Sequence, residues 1–268
     1  MIRLTDKEFH DIYSYVKSNY GINLINKRQL IESRMQSVLM AKGIKSFGEY
    51  FELVKQNRFD EITAMLNKLT TNHTYFYREP AHFTFLKDVI LPNHEKNNRK
   101  KDIRIWSAGC SSGEEAYTTI MVMSDYFGLK KTSWDYRILA TDISLKAMEA
   151  AKQGLYRKES LKDIPKFWES KYFTKQGTDY FELKDEIKNQ VIFKRFNLMD
   201  AFVFRQPFDL IFCRNVMIYF DQPTKNMLIN KFYDALKPGG YLFIGHSETI
   251  QRDTSKFIYI EPSIYQKG

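Results

Sequence analysis

Residues 106–115 read WSAGCSSGEE. Two carboxylates, Glu114 and Glu115, stand where a glycine-bearing loop passes into a helix. Loops of this kind usually cradle phosphate, because a helix N-terminus carries unpaired N–H groups and a positive dipole end. The loop 109–113, GCSSG, satisfies neither G-x-G-x-x-G nor G-x-x-x-x-G-K-[ST], and no lysine follows its second glycine. Paired carboxylates repel a pyrophosphate and welcome a cation, which opposes a nucleotide-dependent dehydrogenase. The same pair serves equally well to stabilise the helix start, so it decides nothing alone.

The next apolar segment, RILATDIS, places Asp142 at the carboxyl end of a second strand, where doubly wound sheets bind ligands. A carboxylate there accepts from both hydroxyls of a ribose. Its other reading is a helix cap, although Ser144 is available for capping. FNL at 196–198 ends another strand beside the same crevice, and LKPGGYLFIG at 236–245 joins a helix to an apolar strand. A nucleoside carrying an ammonium and a sulfonium fits the ordered set: S-adenosylmethionine. The acceptor is narrowed by absences. FDLIFCRNVMIYF contains no Pro-Pro pair of the kind that DNA amino-methyltransferases carry. Cys213 follows a phenylalanine inside a strand and reads as a small core residue, and Cys110 as loop packing. The five histidines lack metal-ligand spacing, so no metal is expected. His246, in GHSE, either touches the site or fixes a loop.

The elements that must position these residues begin with helices. Thr5 and Glu8 form a capping-box pattern before an apolar-periodic stretch that stops near Gly21. A second helix is predicted over 26–42, stopping at Gly43. Ser46 and Glu49 make another capping box, and Asp60 opens a fourth helix through Leu69. Residues 1–70 therefore form a small helical domain. TTNHTYFYREP, residues 70–80, is a polar and aromatic connector into the linker 71–97, and Pro80 suits the first position of a helix running to about 93. From 98 to 268 the pattern alternates. Strands are expected at 103–107, 136–141, 191–196, 208–213 and 240–245, and helices at 113–127, 144–152 and 223–236. The alternation is α/β, a parallel sheet with helices on both faces; together with the S-adenosylmethionine reading of the motifs, a Rossmann-like class I methyltransferase domain is expected. The polar block of about 158–190 reads as a small β insertion, with KYFTKQGTDYFEL a hairpin turning at Gly177.

Composition sets the outer limits. The chain has 268 residues, 43% hydrophobic and 15% aromatic, which is globular rather than disordered. No apolar run approaches the roughly 18 residues of a membrane span, and MIRLTDKEF lacks the apolar region of a signal peptide. Two cysteines argue against a disulfide framework and for a reducing, cytoplasmic setting. The net charge of +9 implies an acidic partner.

TNHTYFYRE (71–79), WSAGCSSGEE (106–115), ATDIS (140–144), FCRNVMIYF (212–220) and LKPGGYLFIGHSE (236–248) together resemble the chemotaxis receptor methyltransferases, the CheR family. The resemblance covers nearly the whole chain, with five motifs in register. It implies methyl transfer from S-adenosylmethionine to glutamate side chains of membrane chemoreceptors, leaving S-adenosylhomocysteine. It also implies a cofactor site of Asn72, Thr74, Arg78, Glu115, Asp142, Asn197, Leu198, Arg214 and Asn215. Glu114 is the lesser candidate beside Glu115, and Arg78 and Tyr219 are expected at the reaction centre. The partner it implies is the cytoplasmic helical region of the receptors, not nucleic acid and not the bilayer. Some members carry a longer glycine-containing loop that docks a receptor's C-terminal tether. Here that loop is only TKQGTDY, which favours direct docking on the helical bundle. A docking face is expected on the helical domain. Between residues 20 and 58 lie seven basic and three acidic residues, and Lys27, Arg28 and Arg34 cluster on the second helix. The competing readings are an RNA or small-molecule methyltransferase, and a non-catalytic module that binds cofactor or receptor.

Overall fold

Thr5 turns the chain into its first helix. Its hydroxyl accepts the Glu8 N–H at 3.3 Å, and the Glu8 carboxylate returns to the Thr5 N–H at 2.8 Å, a complete capping box. The computed structural model describes residues 2–56, 59–70 and 73–268, so Arg58, Thr71 and Asn72 lie outside it. Helix α1 (Asp6–Tyr20) ends at Gly21, in the left-handed region at φ 71°. Glycine is required there twice over, because a Cβ would also sit 2.6 Å from the Met199 sulfur. Helices α2 (Arg28–Ala41), α3 (Phe47–Lys55) and α4 (Phe59–Leu69) complete the helical N-terminal domain. At α3 only half the expected box forms. Ser46 accepts from the Glu49 N–H, but the Glu49 carboxylate reaches the Lys45 N–H instead.

Pro80 does begin a helix, and this one runs past the expected end. Helix α5 (Pro80–Phe85) passes through a π-helical turn, Leu86–Ile90, into α6 (Leu91–Asn97). Pro92 has no N–H to donate and its ring crowds the preceding turn; the wider turn immediately before it relieves both.

The α/β region is a seven-stranded sheet. Its strands are β1 (Ile105–Ala108), β2 (Ile138–Asp142), β6 (Val191–Arg195), β7 (Phe208–Cys213), β8 (Leu236–Ile244), β9 (Phe257–Glu261) and β10 (Ile264–Lys267). They lie in the order β6-β2-β1-β7-β8-β10-β9. The first five are parallel, and β10 and β9 close one edge antiparallel. Helices α7 (Glu114–Phe127), α8 (Leu145–Gln153) and α11 (Gln222–Ala235) connect them. The insertion is a separate three-stranded sheet of β3 (Leu155–Arg157), β5 (Tyr180–Leu183) and β4 (Phe173–Gln176), with short helices α9 (Lys166–Tyr172) and α10 (Asp185–Lys188). Its hairpin turns at Gly177, φ 68°.

Two hydrophobic cores lie on opposite faces of the large sheet, because successive strand side chains alternate. Ile105, Leu210, Phe212 and Phe243 face the core shared with Phe83, Tyr117 and Met121. Trp106, Ile211, Cys213 and Leu242 face the other core, which runs without a break into Ile12, Met35, Phe47 and Leu66 of the helical domain. Trp106 is fully buried there among Phe202, Phe204 and Phe232, its indole N–H donating to Thr141 Oγ1 at 2.8 Å. Polar contacts tighten the same junction. Ile22 bridges Phe220, the Asn23 N–H donates to the Tyr219 carbonyl at 2.8 Å, and Lys17 pairs with Asp221 at 2.8 Å.

Candidate active site

The chain leaves β1 on one side toward β2 and returns on the other at β7, so the sheet opens a crevice beyond the carboxyl ends of these strands. A cavity of about 350 Å³ lies there, within the usual range of about 300–1,000 Å³ for ligand sites.

Its floor is the loop after β1. Gly109 and Cys110 both donate to the Thr141 carbonyl, at 2.8 and 2.9 Å. Gly109 has φ 83°, and a Cβ there would lie 2.4 Å from Val216, so the loop and the segment after β7 are packed backbone to side chain. Asp142 closes the end of β2. One carboxylate oxygen accepts the Ser111 N–H and the other the Ser144 N–H, both at 2.8 Å. Burial pushes its carboxyl up, and these backbone bonds oppose the push. Ser144 meanwhile caps α8 through the Ala147 N–H, as expected.

The adjacent glutamates separate. Glu115 faces the cavity, accepting Ser107 Oγ at 2.7 Å and Arg214 Nη1 at 3.2 Å; burial raises its carboxyl, with Arg214 pulling the other way. Glu114 is buried, bonded to Ser112 Oγ at 2.8 and 3.0 Å, and is not on the cavity wall.

The linker crosses the crevice. Phe76 anchors it, fully buried against Tyr156 and Phe173. Tyr77 (φ 62°) and Glu79 (φ 59°) are left-handed on either side of Arg78, a backbone arrangement that non-glycine residues adopt only under constraint. Arg78 donates to the His73 carbonyl at 2.6 Å and to Asn215 Oδ1 at 2.9 Å. Thr74, Arg78, Arg214, Asn215 and Tyr219 all line the cavity. Asn197 and Leu198 join them beside Phe196, with Asn197 Nδ2 donating to the Asn19 carbonyl at 2.8 Å. Asn72 lies outside the described residues.

Sequence reasoning missed several residues of this site. Tyr20, Ile22, Leu66 and Thr70 bring the helical domain into the cavity wall, and no local pattern marks them. Glu79, next to the helix-starting Pro80, has no local pattern that marks it either. It accepts Arg214 Nε at 3.1 Å and Asn215 Nδ2 at 3.2 Å. Glu248, buried, accepts the N–H groups of Gly245 (2.6 Å), Asn215 (2.9 Å) and Ile218 (3.1 Å). Metal-ligating atoms of Glu79, His82 and His246 come within 4.8 Å of one another, but the Glu79 carboxylate already holds the Arg214 guanidinium as its cation. His82 is buried and pushed down to about 3, first by burial and then by Arg214.

Two of the three basic residues expected on the docking face have partners within the fold. Arg34 Nη1 donates to the Lys68 and Thr70 carbonyls at 3.1 and 3.2 Å, tying α2 to the end of α4. Arg28 is held by Asp6 and the Leu4 carbonyl. These bonds tie the helices of the domain together, and of the three Lys27 is the exposed one.

An acid at the end of β2, a second acid and an arginine facing one cavity, and an apolar wall of Ile143, Phe196 and Leu198 suit S-adenosylmethionine. The carboxylates match its hydroxyls and ammonium, and the apolar wall matches its adenine. The fold and the site define a methyltransferase that uses this cofactor. Family comparison agrees. Residues 72–265 match the CheR methyltransferase SAM-binding domain and residues 7–70 the CheR methyltransferase all-alpha domain. The chain belongs to the CheR methyltransferase family. It is 45% identical to a chemotaxis protein methyltransferase of Borreliella burgdorferi, covering 100% of this chain and 96% of that one. It is 36% identical to the Escherichia coli chemotaxis protein methyltransferase, covering 98% and 92%. A solved structure, the glycopeptide N-methyltransferase MtfA complexed with sinefungin, aligns at a TM-score of 0.38 and 10% identity over 65% of this chain and 50% of that one, too loose to carry an argument.

Proposed function

We propose that this protein methylates glutamate side chains of methyl-accepting chemoreceptors, forming carboxylate methyl esters during sensory adaptation. The observation that carries the reading is an arginine, Arg78, on the wall of a cofactor-sized cavity beside Tyr219. A glutamate acceptor has an ordinary pKa of about 4.3, so at neutral pH it is already a nucleophile and needs no general base. When bound, S-adenosylmethionine supplies a methyl group on a cationic sulfur. The residues supply placement. Asp142 takes the ribose hydroxyls, Glu115 the ammonium, and Phe196 with Leu198 the adenine. The two bonds that place Arg78 leave further guanidinium N–H groups to orient a carboxylate. Tyr219 borders the same space.

The partner is the cytoplasmic helical region of a membrane chemoreceptor, approached by the basic helical domain from the cytoplasm. Among the described residues no helix is long and apolar enough to cross a membrane. The short hairpin turn at Gly177 favours docking on the receptor bundle rather than on a C-terminal tether. The test is incubation with methyl-labelled cofactor and receptor-bearing membranes, followed by mild base. Release of the label as methanol is expected, since esters hydrolyse. Label that survives base would point to nitrogen methylation, and cofactor binding without any label transfer to a non-catalytic module.

A further inference from the structure

Glu79 has no place in the cofactor set derived above, yet of the two bonds that hold the Arg78 guanidinium, to the His73 carbonyl and to Asn215, the second leads back to it. One carboxylate oxygen accepts Asn215 Nδ2 at 3.2 Å, which turns the amide so that its oxygen receives Arg78 Nη2 at 2.9 Å. The other accepts Arg214 Nε at 3.1 Å, and the same Arg214 donates through Nη2 to the Arg78 carbonyl. Two hydrogen-bonded routes therefore run from Glu79 to its neighbour, one to the guanidinium and one to the backbone, beside a direct but longer contact of 4.0 Å between Arg78 Nε and the Glu79 carboxylate. The backbone route matters because Tyr77 and Glu79, flanking Arg78, both hold positive φ, a conformation that relaxes without an outside hold. Arg214 itself has every nitrogen engaged within the protein: Nε by Glu79, Nη1 by Glu115, Nη2 by the Arg78 carbonyl.

We infer that Glu79 is a positioning residue that aims Arg78 into the cavity through Asn215 and Arg214, and that Arg214 is part of this latch rather than a direct anion ligand. The surroundings are built for it. Burial works against the Glu79 charge, but Arg214, Asn215 and the His246 N–H hold its carboxyl below the usual range. His82 closes the far side as a buried imidazole 3.5 Å from the carboxylate, stacked on Phe243.

The inference rests on the cavity being the cofactor site, and a double-mutant cycle separates the two. S-adenosylhomocysteine affinity is measured by calorimetry for the parent, Glu79→Gln, Arg78→Ala and the double variant, with thermal unfolding in parallel. Asp142→Ala tests the premise, and unchanged affinity there overturns it; Arg78→Ala should weaken binding about tenfold if its guanidinium also reaches the cofactor's carboxylate, and unchanged affinity in that variant overturns the claim that Glu79 aims Arg78 at the bound cofactor. With the premise standing, Glu79→Gln should weaken binding about tenfold in the parent and less than about twofold in the Arg78→Ala background. Losses that multiply independently, or no loss from Glu79→Gln, overturn the positioning role, because a carboxylate that only supports the fold acts the same with or without Arg78; Asn215→Ala, which cuts the hydrogen-bonded route and leaves both charges in place, must reproduce the Glu79→Gln loss, and parental affinity there overturns the role as well. Should Glu79→Gln fail to fold, Glu79→Asp, which keeps the charge and withdraws it by one methylene, is carried through the same cycle and must show the same coupling.

Discussion

The Glu114 carboxyl, locked beneath the floor loop by Ser112, is pushed up to about 7 by burial. A group that holds its proton more tightly when folded contributes fully below the ordinary 4.5, and the contribution is lost as pH rises toward about 7. Glu114→Gln should therefore leave stability near pH 4 unchanged and add roughly 1–3 kcal/mol at pH 8, read by denaturant unfolding at both pH values. Asp142 is half-buried and faces the cavity instead. Asp142→Ala should weaken S-adenosylhomocysteine binding by about 2–4 kcal/mol, since a charged acceptor for two hydroxyls is lost; calorimetry showing parental affinity removes it from the site. In the sequence the two adjacent glutamates were equivalent as helix-start acids. Only the i to i+1 rotation of about 100° per residue on α7, set by how that helix packs on the sheet, turned one toward the cavity and the other under the loop.

Among the elements, the turn after β7 has an unusual support. Asn215 is left-handed at φ 58°, and Glu248, three residues beyond Gly245 at the end of β8, collects N–H groups from both strand ends. Glu248→Ala strands those donors and should cost about 2–4 kcal/mol of stability, with a matching loss of cofactor affinity. A variant as stable as the parent in a thermal melt would show the turn to be self-supporting. Most elements were legible because their signals are local. Four of the five parallel strands lie within two residues of the apolar runs, and the hairpin turns at Gly177. The antiparallel pair β9 and β10 was not. Its runs FIYIE and IYQK are joined by Pro262 and Ser263, without the Asn-Gly or Asp-Gly that announces a tight hairpin, and their place on a parallel sheet is decided by tertiary packing. Strand β8 also begins at Leu236 rather than 240, passing through Gly239 in the left-handed region and shifting register against β7.

At the scale of the molecule, the helical domain and the sheet share one hydrophobic core, and the cavity takes Tyr20, Ile22, Leu66 and Thr70 from the helical side. That sharing was invisible in a sequence whose two halves carry separate patterns. The charge excess was visible, but not that Arg28 and Arg34 are already bonded within the fold. A clean electrostatic probe is thus Lys27→Glu. It should raise the apparent KM for receptor about two- to fivefold at low salt, the effect fading as exposed charges are screened over about 8 Å at physiological ionic strength. Cofactor affinity should not change, and an unaltered KM at low salt would leave Lys27 an ordinary solvated residue. The shared wall reaches further, into how often the enzyme must let go. If the helical domain grips the receptor as proposed, any loosening of that side that frees spent cofactor loosens the grip with it. Such a machine works like a turnstile, admitting one methyl per visit. Counting esters on a receptor with several acceptor glutamates, at limiting enzyme, should show singly modified molecules filling the population before doubly modified ones appear.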